Sequence, residues 1–156
     1  MISPSRILDS LKNLPTLPNS VFQLQQVLQD ERSSVADMER VVRPDPALTA
    51  NLLRLANSAY FGLPRAVSSA RQAIMLLGAR RTFEVAASAG FAQLIPEVLP
   101  GYALRSRDFW LHSIAVAVLS ERLALELGLA TVEMVFTAGL LHDLGKLALG
   151  VFLEEE

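Results

Sequence analysis

The sequence predicts an all-α fold, and three observations carry that expectation. Helix punctuation by Pro, Gly, Ser and Asp recurs along the chain, apolar residues repeat at three- and four-residue spacings, and period-two alternation of β-branched residues is nearly absent. With 156 residues, 51% of them hydrophobic and 19% charged, the chain has the size and composition of one globular domain with its own core. The expected architecture is a single compact helical domain over residues 1–156, with about seven to eight helices. A helical half over about 1–95 precedes a helical bundle over about 105–156.

The elements follow in order. Ser3 and Pro4 start a short helix through Leu11, and Leu14-Pro15-Thr16-Leu17-Pro18 must be extended, because each proline pushes its predecessor out of the α region. Pro18 or Asn19 opens a helix whose Val21, Leu24, Val27 and Leu28 form an apolar stripe ending near Asp30-Glu31-Arg32. Ser33-Ser34 caps a third, with Val35, Met38, Val41 and Val42 on one face, and Pro44 stops it. Asp45 is then the N-cap, since its carboxylate accepts from unpaired amides, and Pro46 takes the first helical position, where no donor is needed. Leu48, Leu52, Leu55 and Ala59 share a face of that helix, which runs to Gly62 and Pro64.

Ser68-Ser69 caps a helix through Ile74 and Leu77, with Gly78 as its left-handed end, and another runs from about Ala79 to Leu94, closed by Pro96. The loop 96–105 contains the turn signal Pro100-Gly101 and is short and apolar, so the two halves are expected to pack on each other. Two long helices complete the chain: roughly Ser106 to Leu127, ended by Gly128, and Thr131 to Leu149, ended by Gly150.

Composition narrows the function. A net charge of −2 and a pI near 5.7 give no global electrostatic reason to bind nucleic acid, which is therefore not an expected partner. The absence of cysteine excludes disulfides, thiolate metal sites and cysteine nucleophiles, and fits a reducing compartment, with the cytoplasm as the default location. No apolar run approaches the roughly 18 residues of a spanning helix, so a soluble protein without membrane contact is expected.

Two histidines are present, His112 and His142, and the second lies in His142-Asp143-Leu144-Gly145-Lys146. Imidazole nitrogen and carboxylate oxygen both suit zinc, iron or manganese. On one helix an adjacent His-Asp pair projects about 100° apart, so an ion between helices could touch both. The turn Gly128-Leu129-Ala130 makes the two long helices antiparallel neighbours, with His112 and His142 each about 20–25 Å along its helix from the connection. Two readings stand side by side. The histidines are metal ligands, or they are boundary residues satisfied by backbone carbonyls.

Other residues have structural readings that outweigh functional ones. Asn57-Ser58 satisfies the last carbonyls of its helix and turns the chain. Arg80 pairs with Glu84 on a solvated face, and Tyr60-Phe61 and Phe109-Trp110 are core anchors and not a base-stacking platform.

His112 with His142-Asp143-Leu144-Gly145-Lys146 resembles the first elements of the HD superfamily of metal-dependent phosphohydrolases. There the His and the His-Asp pair bind metal with a later Asp, which is missing here, and a lysine like Lys146 can hold phosphate. Leu14-Pro15-Thr16-Leu17-Pro18, Asp45-Pro46-Ala47-Leu48-Thr49 running into Asn57-Ser58-Ala59-Tyr60, Ala73 to Gly78, Phe109-Trp110-Leu111-His112-Ser113 and Ala138 to Asp143 resemble, in the same order, the HDOD family of bacterial signalling proteins. The resemblance covers about residues 14 to 153 and implies an HD-like helical bundle in the C-terminal half.

It also implies a non-catalytic regulatory module that binds protein partners, among them other signalling domains, with no cofactor. The alternative it implies is a phosphohydrolase acting on a nucleotide or cyclic dinucleotide, with His112, His142 and Asp143 on a divalent metal and Lys146 on phosphate. HDOD domains run on for several more helices, so the resemblance implies a truncated form whose Leu140, Leu147 and Val151 would be exposed and could drive a homodimer.

Overall fold

The computed structural model describes residues 16–99, 101–129 and 132–153. The expected helix over Ser3–Leu11 lies outside the described residues. The described fold is helical except for one very short hairpin, and it divides into two compact units, Leu17–Gly90 and the chain from Phe91 onward.

The first unit is assembled from locally determined helices. Pro18 precedes α1 (Asn19–Gln29), which buries Val21 and Leu24. Ser34 and Asp37 form a capping box at the start of α2 (Val35–Val42). The Asp37 carboxylate accepts from the Ser34 amide at 2.9 Å and from its hydroxyl at 2.6 Å, satisfying donors the helix start leaves open. Met38 and Val42 are the buried residues of α2. Asp45 caps α3 (Pro46–Ala56) by accepting from the Leu48 amide at 2.9 Å, with Pro46 in the first turn.

Helix α3 stops at Ala56, earlier than the apolar spacing through Ala59 predicts, and buries Leu48, Leu52 and Ala56. The cause is Asn57. Its Nδ2 donates to the Leu53 carbonyl at 2.9 Å and to the Val67 carbonyl at 2.8 Å, while its Oδ1 accepts from the Val67 amide at 2.7 Å. A side-chain amide thus takes over where the helix would have continued, and Ala59 and Tyr60 are carried to the surface, Tyr60 at 77% exposure and not in the core. Ser58 donates its amide to Leu55 and accepts from Phe61, while its hydroxyl is buried with no partner among the described residues.

Ser69 accepts from the Gln72 amide at 3.2 Å and opens α4 (Ala70–Ala92). Gly78 interrupts α4 with φ 79° and ψ 169°. The positive φ is as expected, but this ψ is extended and lies outside the left-handed helical region, in backbone space that only glycine enters readily. Ala73, Ile74 and Leu77 before it, and Phe83, Ala86 and Ala87 after it, are all buried. The break therefore redirects the helix while keeping both apolar faces inside.

In the second unit, the loop expected over 96–105 contains an antiparallel hairpin. β1 (Val98–Leu99) pairs with β2 (Leu104–Arg105) in the register Val98 to Arg105 and Leu99 to Leu104. Leu99 is buried and Val98 exposed, the alternation a half-buried strand imposes. Helix α5 (Ser106–Glu126) ends in paired bonds from the Leu129 amide to Ala124 and from the Gly128 amide to Leu125, the geometry that closes a helix on a glycine. It buries Phe109, Ser113, Ala117, Glu121 and Ala124, and Phe109 meets Phe91 with ring centroids 6.0 Å apart.

The long helix expected from Thr131 to Leu149 is two helices, α6 (Val132–Leu141) and α7 (Gly145–Leu153), with His142, Asp143 and Leu144 in a turn between them. Bonds from Leu144 to Leu141, Lys146 to Asp143 and Leu147 to Leu144 each skip only three residues, a tighter winding that ends one helix and starts the next. Leu140 and Leu147 are buried, at 1% and 8% exposure, so they form no exposed dimer face. The side chain of Val151 lies outside the described residues. No helix among the described residues is long and apolar enough to cross a membrane.

Candidate functional site

Helices α5 and α6 meet at their backbones. A Cβ on Gly139 would lie 2.8 Å from the Ala117 Cα and 3.1 Å from its nitrogen, so only glycine permits this approach. Three residues beyond the contact, the chain leaves α6 and enters the turn that carries His142 and Asp143. The close crossing brings that turn level with His112 on α5, and the two imidazole centroids lie 5.2 Å apart.

Four side chains converge there. The Asp143 Oδ2 lies 3.3 Å from His142 Nε2, 3.6 Å from His112 Nε2 and 2.6 Å from Lys146 Nζ. His142 Nδ1 lies 2.7 Å from the Gly139 carbonyl oxygen. With a proton on Nδ1, that bond turns Nε2 toward Asp143. The boundary reading of His142 is seen in this bond, in which a backbone carbonyl satisfies the ring and its other nitrogen faces the cluster. The site is open, with the His112 side chain 54% and the His142 side chain 34% exposed. The Lys146 ammonium hydrogen-bonded to Asp143 holds its carboxyl below the usual carboxylate range; the neighbouring histidines act in the same direction, and partial burial opposes them.

The donors of His112, His142 and Asp143 all lie within 4.8 Å of one another. Metal bonds near 2.1 Å at a tetrahedral angle place donors about 3.4 Å apart, so the two histidine-to-aspartate separations suit a divalent ion. Lys146 does not suit one. An ion held by the same Oδ2 would sit about 4 Å from the ammonium, a repulsion of about 2 kcal/mol even in bulk water and more at the lower dielectric of a protein surface. The donor spacing fits a divalent ion, and the Lys146 ammonium lies on the same carboxylate oxygen.

The remaining sequence-identified residues have structural places of their own. Asp45 and Pro46 start α3, Asn57 and Ser58 follow it, and Gly78 breaks α4. Trp110, half-buried, stands two positions before His112 on α5. Sequence reasoning missed one contributor. The Gly139 carbonyl orients His142, and the spacing of Gly139 three residues before His142 was the available signal. Lys146, which the family resemblance would place on phosphate, stands three residues after Asp143 at a helical start and pairs with it.

Comparison with known proteins places this geometry in context. A sequence model of the HDOD domain matches residues 14–156. An HDOD domain protein of unknown function from Geobacter sulfurreducens is 27% identical, with a TM-score of 0.69 over 94% of this chain and 50% of its own. A Shewanella amazonensis SB2B protein named as a candidate phosphohydrolase is 30% identical, with a TM-score of 0.67 over 93% of this chain and 50% of its own. An uncharacterized protein of Treponema pallidum (strain Nichols) is 27% identical over 146 residues, 90% of this chain and 27% of that protein. The chain therefore spans half the length of these two solved relatives and about a quarter of the curated one.

Proposed function

This chain belongs to the HDOD family, and from that membership we propose that it is a non-catalytic regulatory module that acts by binding other proteins, signalling domains among them. One observation carries the reading: Lys146 Nζ stands 2.6 Å from the Asp143 oxygen that both imidazoles face. The lysine supplies at that oxygen the positive charge a metal would otherwise bring, so the cluster holds the α6–α7 turn and needs no cofactor. Elemental analysis of the purified protein, followed by a phosphate-release screen with added manganese, tests this. The expected result is metal well below stoichiometric and no turnover with nucleotides or cyclic dinucleotides. Stoichiometric iron, manganese or zinc with turnover would overturn it.

The donor spacing favours one second reading, a metal-dependent phosphohydrolase of the HD type. His112, His142 and Asp143 would hold the ion, and a bound divalent metal would supply Lewis-acid activation of water for attack on phosphorus. Lys146 would then leave Asp143 and contact the phosphate. Manganese-dependent phosphate release that is lost in Lys146→Met, with metal content retained, would establish this reading in place of the first.

A further inference from the structure

Tyr60 stands out from the rest of the molecule, because a large aromatic side chain at 77% exposure lies on a loop that is otherwise tightly held. Two hydrogen bonds between Asn57 and Val67 close the segment between residues 57 and 67, and the Phe61 amide bonds back to the Ser58 carbonyl at 3.1 Å. Within that closed loop the Tyr60 ring meets Phe61 edge-on at 5.1 Å, and the Arg81 guanidinium lies 5.9 Å from the Tyr60 centroid. Leu63, 38% exposed, adds a second apolar group. Arg65, exposed on the same loop, makes no hydrogen bond or ion pair among the described residues.

Two cations stand at this loop, Arg65 on it and Arg81 beside Tyr60, whereas Arg71 is paired with Glu39 at 3.5 Å. Tyrosine and arginine displayed on a pre-ordered loop are the side chains that dominate binding energy at protein interfaces, since little conformational freedom remains to be lost when they dock.

We propose that the loop closed by Asn57 is a docking surface for an acidic segment of a partner protein, with aliphatic groups of the segment against Tyr60 and Leu63 and its carboxylates on Arg65 and Arg81. A nucleic acid fits less well. Tyr60 is a single ring with Arg81 close to it, not a series of free faces on which successive bases could stack. The proposal deepens the interaction-module reading and rests on it, but its test reads peptide affinity, whereas that reading stands or falls on metal content and turnover.

The probe is a fluorescein-labelled peptide of alternating glutamate and leucine, titrated with the protein at physiological ionic strength and followed by anisotropy. Saturable binding is expected, weakened about tenfold or more by Tyr60→Ala and by Arg81→Glu, weakened also by Arg65→Glu, and unchanged by Arg107→Ala in the other unit. All four side chains are on exposed residues or loops, and thermal melts establish that each variant is folded. Absence of saturable binding, or equal affinity in the Tyr60 and Arg81 variants, would overturn the proposal. Tighter, steeply salt-dependent binding of an oligothymidylate of equal length would overturn it in favour of a nucleic-acid face.

Discussion

Two irregular segments, the loop after α3 and the turn between α6 and α7, display polar side chains between helices, and they are held in opposite ways. The loop after α3 is closed by Asn57, a neutral side chain that exchanges two hydrogen bonds with Val67 as a neighbouring strand would and donates a third to the Leu53 carbonyl. The turn between α6 and α7 is held by charge, with Lys146 on Asp143 and two imidazoles around the same oxygen. An amide with fixed backbone partners specifies one conformation. A half-exposed ammonium with rotatable donors holds its partner weakly and can move to another anion. The first arrangement suits a surface that must be ready before its partner arrives, and the second suits a cluster whose occupant can change.

Substitutions separate the two regimes, and the largest effect is expected beneath the charged turn. Gly139→Val forces a side chain into the Ala117 backbone and should destabilise by about 1–3 kcal/mol, read as a fall in the denaturation midpoint, together with a change in the His112 and His142 imidazole resonances. Asn57→Ala should cost about 1–2 kcal/mol, and hydrogen exchange should show the Val67 amide losing protection to the same degree at low and high salt. A salt-dependent loss at Val67 would break the distinction.

The cap of α2 lies between these regimes, because it is charged but local. Ser34→Ala should cost about 1 kcal/mol. The hydrogen bonds from Ser34 hold the Asp37 carboxyl below its ordinary value of 3.8. The stability this adds is complete above that value and is lost as the pH falls from there through the lower folded value. The wild type should therefore lose stability over that acid window, and Ser34→Ala should flatten the loss. The smallest effect is expected at the charged turn itself: Lys146→Met should change stability by about 0.5 kcal/mol, and the difference should shrink as salt is added.

The N-terminal unit was the more legible in the sequence, because its boundaries are set by neighbours. Ser34 with Asp37, Asp45 with Leu48, and Ser69 with Gln72 each satisfy a helix start within three residues. The apolar spacing through Ala59 misled because Asn57 finds its partner ten residues away at Val67, which no local pattern records. Likewise the run from Val132 to Leu149 has unbroken helical spacing, and nothing in it announces that the chain tightens at His142. The site residues could be named from their chemistry and from equal heights on two helices. Their contacts could not, since the crossing at Gly139 and Ala117 decides which atoms meet and the sequence does not show that Lys146 turns to Asp143.

The central claim is that the cation at Asp143 is Lys146. The protein and its Lys146→Met variant should each be equilibrated with manganese, iron(II) or zinc, passed through a desalting column, and assayed for retained metal. The wild type should retain far less than one ion per chain and the variant distinctly more, because removing the ammonium frees the oxygen that His112 and His142 already face. Stoichiometric metal on the wild type, or no difference between the two, would contradict the account.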